Sequence, residues 1–445
     1  MTSIIMTIKS PWALLPMLLF MALFIGSGLY YQAAGVEFAF YKISAPVAIL
    51  PAIILALLLA KGNINQRVDQ FVQGCANPTI VTMLLIFLLA GGFASVAKAI
   101  GGVDAVVNLS LSMIPPSFVL PGLFIMTAFM ATAMGTSMGS IAAVAPIAVG
   151  VAEVSDLSMV LTVGAVMGGA MFGDNLSIIS DTTIAATRTQ GCNMRDKFRL
   201  NFKIAVPAAL LTIVWLFMQG DAAQVAVDPD ASVIKMLPYL LVLGLAISGM
   251  NVLVVLLTGI VVAGLIGLWQ VPDYSVAVLS ADIYKGYSNM QEILILSLFI
   301  GGLGAMMKLG GGLDWLAAQL DRLTREQAEP KAHRRMGELS IAAGVALVNI
   351  CTANNTVAIL ISGSLAKDIA TRYGVDAKRS ASIMDISACV IQGVLPYGAQ
   401  MLLAASLSGL SPLDLVTAVV YCWCLGLVMM GSIILGRPSG QEKAA

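Results

Sequence analysis

The chain has 445 residues, 59% of them hydrophobic and 11% charged, where a soluble domain carries about 25% charged residues. So much apolar surface excludes an ordinary water-soluble globule. Lys+Arg and Asp+Glu balance at 24 each, so no charge excess points to nucleic acid or to an anionic surface as partner.

The first apolar run, Pro11 to Tyr31, is long enough to span the hydrocarbon layer and is followed by no small-residue cleavage site, so it reads as a retained first helix. Further simple runs are Ser44 to Ala60, Thr79 to Ala97, Ile204 to Gln219, two short arms within Met236 to Trp269, Ile293 to Met307 and Leu413 to Leu435. Four segments are interrupted by small and polar residues: Pro121 to Ala152, Leu157 to Gln190, Glu338 to Ala370 and Ser380 to Leu410. Cysteines 75, 192, 351, 389, 422 and 424 are scattered through apolar stretches, which argues against disulfides and zinc. No cofactor is expected.

Basic residues cluster at Lys61 and Arg67, from Arg188 to Lys203, and from Arg322 to Arg335. The positive-inside rule puts these on the cytoplasmic side and the acidic stretch Asp221, Asp228 and Asp230 outside, giving a multi-pass protein of the cytoplasmic membrane with both termini inside. Arg437 and Lys443 follow the last span. The single histidine, His333, reads as a solvated loop residue.

Self-comparison exposes a repeat. Gly91-Gly92, Lys98, Gly101-Gly102 and Asp104 recur 210 residues later as Gly301-Gly302, Lys308, Gly311-Gly312 and Asp314. Downstream, Thr132-Ala133 with Thr136 matches Thr352-Ala353 with Thr356, and Ala185-Ala186-Thr187 matches Ala404-Ala405-Ser406. The loop after the glycine segment is poor in basic residues in copy one and rich in them in copy two, so the copies face opposite sides. The predicted fold is an all-α polytopic membrane protein of two inverted-topology repeats, each with a re-entrant helical hairpin and a broken transmembrane helix. Its divisions are an extra helix over 1–43, repeat one over 44–220, a linker with a helical hairpin over 221–275, and repeat two over 276–445. The amphipathic stretches Gly102 to Ile114 and Gly311 to Leu323 read as interfacial arms or dimer contacts.

The chemistry concentrates at the interruptions. Gly135, Thr136, Ser137 and Gly139 sit at one predicted hairpin tip, and Asn349, Thr352, Asn354, Asn355 and Thr356 at the other. Irregular backbone at membrane depth is tolerated where protein buries it or where it lines a watery cavity. Its carbonyls and the Ser, Thr and Asn oxygens are hard neutral ligands for an alkali cation, and half-helix N-termini favour an anionic group. The other reading of such small residues is close helix packing.

The second constellation runs Gly173-Asp174-Asn175-Leu176-Ser177-Ile178-Ile179-Ser180-Asp181-Thr182-Thr183. A carboxylate inside the bilayer is costly, so Asp174 and Asp181 mark an ion or proton path, with a water-interface position as the bland alternative. The matching break, Gly393 to Gln400, holds Pro396, Tyr397 and Gly398 without charge, so the site is asymmetric. Asp385 is a further intramembrane carboxylate, with Lys378 and Arg379 close enough in sequence to pair with it.

Two enzyme readings are weaker. Gly135-Thr136-Ser137-Met138-Gly139 matches G-x-S-x-G, but it lacks a preceding strand, and the only imidazole is predicted in a loop. An intramembrane aspartyl protease would need Asp174 and Asp385 to share a proton and would leave the duplicated hairpin tips unexplained.

The Gly173–Thr183 segment resembles the G-D-x-x-S-x-x-S-D-T-T signature of NhaC-type sodium/proton antiporters, and Gly135-Thr136-Ser137 resembles their G-T-S segment; the resemblance runs from about Lys61 to Gly426. It implies a place in the larger ion-transporter superfamily, whose members are often dimers that work by an elevator motion. Where the family commonly has Pro after the first Ser of the motif, this chain has Ile178, and the chain is short for the group. Family relatives are also proposed to move amino acids or hydroxy acids with sodium. Asn354-Asn355-Thr356 further resembles the Ser-Asn-Thr tips of sodium-coupled carboxylate carriers.

The expectation is therefore a secondary transporter, not an enzyme, that exchanges Na+ for H+ at a midplane site. Asp174 and Asp181 are its competing ligands, with Asn175, Ser177, Ser180 and Thr182 around them. Na+ is expected at Thr136, Ser137, Asp174, Asn354 and Thr356. The alternative is Na+-coupled transport of a small amino acid or other organic ion, with Asp174, Asp181, Tyr397 and Gln400 facing the solute. The expected partners are the lipid bilayer and a second copy of the chain.

Overall fold

The computed structural model describes residues 10–34, 42–105, 115–155, 157–177, 180–219, 233–248, 250–315, 318–319 and 333–436. The acidic stretch at 221–230, the basic residues Arg322, Arg325, Lys331, Arg437 and Lys443, and much of both amphipathic stretches lie outside the described residues. Among the described residues every regular element is helical. The chain is a polytopic α-helical membrane protein: eight described helices are long and apolar enough to cross a bilayer, or nine with a bent pair near the C-terminus.

After α1 (Leu15–Ala33), the predicted span from Ser44 to Ala60 arrives in two pieces, Ala45–Ala48 and α2 (Leu50–Leu59), each with a proline in its first turn. Proline is tolerated there because the first N–H groups of a helix have no intrahelical partner. An Asn63–Gln66 capping box starts the amphipathic α3 (Ile64–Cys75), and α4 (Pro78–Ala99) is the first long span after it. Next come the hairpin α5 (Val119–Met134) and α6 (Ser137–Val154), the broken helix α7 (Met159–Leu176) and α8 (Asp181–Gln190), and α9 (Met194–Met218). Of the two arms predicted within Met236 to Trp269, α10 (Leu237–Ile247) is short and α11 (Val252–Gln270) is long enough to span.

The same order then occurs again. Amphipathic α12 (Val276–Asn289) precedes α13 (Gln291–Leu309); α14 (His333–Thr352) and α15 (Asn355–Tyr373) form a hairpin; α16 (Ala377–Val394) and α17 (Ala399–Ser408) form a broken helix. The pair α18 (Pro412–Ala418) and α19 (Val420–Leu435), bent by 50°, closes the chain. His333, expected in a loop, opens α14.

Packing crosses between the two copies. α3 lies on α13 and α12 on α4, while α8 lies on α15 and α17 on α6. Glycines make the first crossings possible: Gly286 meets the main chain of Gly91, and a Cβ on Gly74 would sit 2.7 Å from the Gly301 carbonyl oxygen. Such approach is how membrane helices gain van der Waals contact in a solvent as apolar as their side chains. Gly74→Leu is therefore expected to separate α3 from α13 and lower the melting temperature in detergent. Gly244→Ala, which meets nothing within 4 Å, is expected to leave it unchanged or raise stability by about 0.5–1 kcal/mol. Size-exclusion profiles after graded heating check both.

The interior belongs to the interrupted segments. Windows in 137–154, 159–190 and 377–408 are 83%, 78% and 78% buried, against 33% for the first helix, so the hairpin and the two broken helices form the centre and α1 lies at the rim.

Candidate functional site

Each hairpin tip is built by one left-handed residue and one cap. α5 ends at Met134, Gly135 turns with φ 71°, and the Thr136 hydroxyl caps α6 by accepting the Gly139 N–H at 3.5 Å. α14 ends at Thr352, Ala353 takes φ 49°, and Asn354 Oδ1 caps α15 by accepting the Val357 N–H at 3.0 Å. The turns thus equate Thr136 with Asn354, whereas the Thr-Ala match had paired it with Thr356. Gly139, expected at the tip, lies inside α6.

The helix breaks are equally alike. α7 stops at Leu176, Ser177 is extended, and Ser180 caps α8 by accepting the Thr183 N–H at 3.3 Å. In the other copy α16 stops at Val394, and Gly398 precedes α17. The segment between holds Pro396, which has no N–H to continue the helix.

Asp174 sits where one break meets one tip. A Cβ on Gly173 would lie 2.6 Å from the Thr132 nitrogen, so only glycine lets α7 pass this close to the end of α5. The Asp174 side chain, 4% exposed, then reaches the first turn of α6, where Oδ1 accepts the Ser137 N–H at 2.9 Å. The positive end of the α6 dipole favours a carboxylate there. Among the described residues no cationic side chain pairs with Asp174.

From Ser137 the network crosses into the second copy. Gln400 Nε2 donates to Ser137 Oγ at 3.1 Å, and Gln392 Nε2 donates to Gln400 Oε1 at 2.8 Å and to the Ala353 carbonyl at 3.1 Å. Gln392 occupies the last turn of α16 as Asp174 does that of α7. Both tips and both breaks are thereby linked through neutral amides and one carboxylate.

A second cluster lies behind the first. Asp385 is fully buried and, contrary to the pairing expected with Lys378 or Arg379, its Oδ2 lies 2.8 Å from Lys197 Nζ and accepts from Asn201 Nδ2 at 2.8 Å. Arg379, six positions away and so on another face of α16, pairs instead with Glu338 at 2.9 Å. Asn175 contributes its carbonyl to Lys197 and Asn201 at 3.1 and 2.9 Å, and its amide donates to Tyr421 Oη at 3.4 Å. Ser180 Oγ approaches Thr182 Oγ1 at 3.1 Å and donates to the Asp174 carbonyl at 3.1 Å, and Thr183 Oγ1 donates to the Ser177 carbonyl at 2.7 Å, so these hydroxyls brace the break.

The remaining candidates lie apart. Asp181 is exposed in the first turn of α8. Asn355 Oδ1 accepts the Thr356 N–H at 2.9 Å. Thr352, Asn354 and Tyr397 line a cavity of about 330 Å³ bounded by α3, α4 and α13, with Lys308 the one charged side chain among its described lining residues. Tyr397 donates to the Ile350 carbonyl at 2.8 Å.

Sequence reading missed Lys197, Asn201, Gln392 and the Glu338–Arg379 pair. One signal was present for the first two. Lys197, Leu200, Asn201 and Ile204 share the buried face of α9, while Arg195, Arg199 and Lys203 are exposed, so helical periodicity separates Lys197 from the basic cluster.

The model of the Na+/H+ antiporter family matches residues 1–220 and 226–437. The chain belongs to that family. It is 24% identical to the Na+/H+ antiporter NhaC of Bacillus subtilis over 84% of this chain and 86% of that one. It is 22% identical to the arginine/ornithine antiporter ArcD of Halobacterium salinarum, over 84% and 83%. With the malate-2H+/Na+-lactate antiporter of Bacillus subtilis it shares 23% identity, over 84% of each. Membership of the antiporter family makes the chain a transporter and not an enzyme.

Proposed function

We propose that the protein exchanges Na+ for H+ across the cytoplasmic membrane, with Asp174 as the group that binds the two in turn. The observation that carries this reading is a buried carboxylate with no cationic side chain paired to it among the described residues. Buried ionised carboxylates are retained when a partner offsets the loss of hydration. A proton or an alkali ion supplies that partner, and the two cannot both be bound to one charge. Ser137, whose N–H binds Asp174, also carries a hydroxyl oxygen suited to a hard monovalent cation, and Gln400 Nε2 donates to that oxygen.

The reading places two inverted repeats about this site, over 44–220 and 276–445, with 1–43 as an extra helix and 221–275 as a linker. Both termini lie inside. The protein works as a homodimer, and the two hairpins and broken helices move together against the outer spans. Asp181, at the exposed start of α8, receives the cation on its way to or from Asp174.

A second reading, Na+-coupled movement of a small organic ion, draws support from the 330 Å³ cavity, whose mostly apolar lining carries the amides of Gln70, Gln73 and Asn354 and the ammonium of Lys308, a mixture that suits a small carboxylate. The experiment uses purified protein in liposomes with an entrapped pH-sensitive dye and an external Na+ pulse, without organic solute. Antiport predicts alkalinisation of the lumen as protons leave. No proton movement in folded, inserted protein would reject it, and Na+-dependent uptake of labelled carboxylates or amino acids would then support the second reading.

A further inference from the structure

The Lys197–Asp385 pair is built like a filled cation site. Lys197 Nζ is held by Asp385 Oδ2 at 2.8 Å, Thr183 Oγ1 at 2.7 Å and the Asn175 carbonyl at 3.1 Å. These three oxygens use all three N–H bonds of an ammonium. Lys197, Asp385, Thr183, Asn175 and Asn201 are each 0% exposed. The oxygen set, a carboxylate, a hydroxyl and a main-chain carbonyl, is also the donor set of a hard metal cation. The carbonyl lies one residue before the end of α7, where the helix dipole favours positive charge.

The cluster also has more acceptors than donors. Asp385 Oδ1, Asn175 Oδ1 and Asn201 Oδ1 are buried without a hydrogen-bond partner, although buried polar atoms are nearly always paired. Three unpaired acceptors, on Asp385, on Asn201 that donates to Asp385, and on Asn175 whose carbonyl accepts from Lys197, suit a site that takes a second cation in the first one's place.

We propose that Lys197 is a tethered cation that competes with the transported alkali ion for these oxygens and releases its proton when displaced. In that step one N–H bond of the ammonium breaks and its electron pair stays on Nζ. The proton leaves to water, and the alkali cation takes over the charge balance of Asp385. One positive charge faces Asp385 before and after, so one proton is released here as the ion enters, beside the one that Asp174 releases. A lysine suits the role because its ammonium is a compact charge on a flexible stem that can leave the oxygens and return, whereas a guanidinium is never deprotonated in a protein. The inference rests on the exchange reading and adds a second proton carrier to Asp174.

Of the elements packed against α9, α5 and Pro116–Phe118 carry no ionisable group, and the others carry several. These are Asp174 on α7, Asp181 and Arg188 on α8, and Tyr421 and the cysteines 422 and 424 on α19. On α16 they are Lys378, Arg379 and Cys389 besides Asp385, with Arg379 already paired to Glu338.

The test reconstitutes wild type, Lys197→Met and the double variant Lys197→Met/Asp385→Asn, which removes both charges and guards against a fold lost to one unpaired carboxylate. Proton flux from the entrapped dye and 22Na+ flux are measured together between pH 6 and 9. Both variants are expected to lose one proton per cycle from the H+-to-Na+ flux ratio, while Na+/Na+ counterflow persists in Lys197→Met with a flatter pH profile. A merely structural pair would lower folded yield and leave the ratio and its pH profile at wild-type values, which would overturn the inference. Lys197→Arg is expected to raise half-saturating Na+ at least tenfold, since the guanidinium stays in place; unchanged half-saturation would count against displacement. Absent proton movement in wild type would overturn the exchange reading, and the Lys197 assignment with it. A wild-type ratio kept by both variants removes the Lys197 assignment alone.

Discussion

Asp174→Asn is expected to reduce Na+-driven proton movement to the level of empty liposomes while the protein folds and inserts as wild type does. The asparagine is close in shape to the aspartate, and its side-chain oxygen can still accept the Ser137 N–H at the start of α6. What it lacks is the charge that needs a proton or a cation for balance. Among the described residues no cationic side chain pairs with Asp174, so exchange needs that charge to draw the ion in. Loss of flux with an unchanged size-exclusion profile and melting temperature supports the assignment. Full proton coupling in the variant would move the coupling carboxylate elsewhere, with Asp181 the next to test. Gln400→Ala, which removes the donor to Ser137 Oγ and leaves Asp174 in place, is expected to weaken apparent Na+ affinity and retain exchange.

The second large effect concerns stability. Glu338 and Arg379 are 1% and 0% exposed and join α14 to α16. Arg379 Nη2 also donates to Ser432 on α19 at 2.8 Å, and Arg334 Nε donates to Glu338 Oε1 at 2.9 Å. Removing one partner strands a charge inside protein, which costs about 3–5 kcal/mol. Arg379→Met or Glu338→Leu is therefore expected to lower the melting temperature sharply and to reduce membrane yield. The double variant, with no charge left to strand, is expected to recover most of the loss. Equal melting temperatures for the single variants and wild type would show that the charges reach water.

The candidate site was legible in the sequence where one segment carries its own signal. Gly135 and Thr136, and Ser177 to Ser180, interrupt apolar runs with residues that turn or cap a chain, and both breaks fall there. The repeated order of elements was legible in Gly91-Gly92 and Gly301-Gly302, because Gly91 meets the main chain of Gly286 and Gly301 that of Gly74. What could not be read was which side chains meet across the copies. Asp385 finds Lys197, distant in sequence, rather than Lys378 or Arg379 nearby, because position on a helix face decides contact. Gln392 escaped notice because, read along the chain, it precedes the Gly393 to Gln400 break. Its position opposite Asp174 appears once the ends of α7 and α16 are set side by side. The second tip was misaligned by the Thr-Ala match because Ala353, not a glycine, takes the left-handed position.

The central claim is tested most directly by uphill transport. Proteoliposomes are loaded at acid pH, diluted into alkaline buffer with the same 22Na+ activity on both sides, and followed for lumenal 22Na+. Coupled exchange predicts that lumenal Na+ rises above the outside level as protons leave, then decays with the pH gradient, and that Asp174→Asn shows neither phase. Lumenal Na+ that stays at the outside level in the wild type without organic solute, and rises only when an amino acid or carboxylate is added, would contradict Na+/H+ antiport.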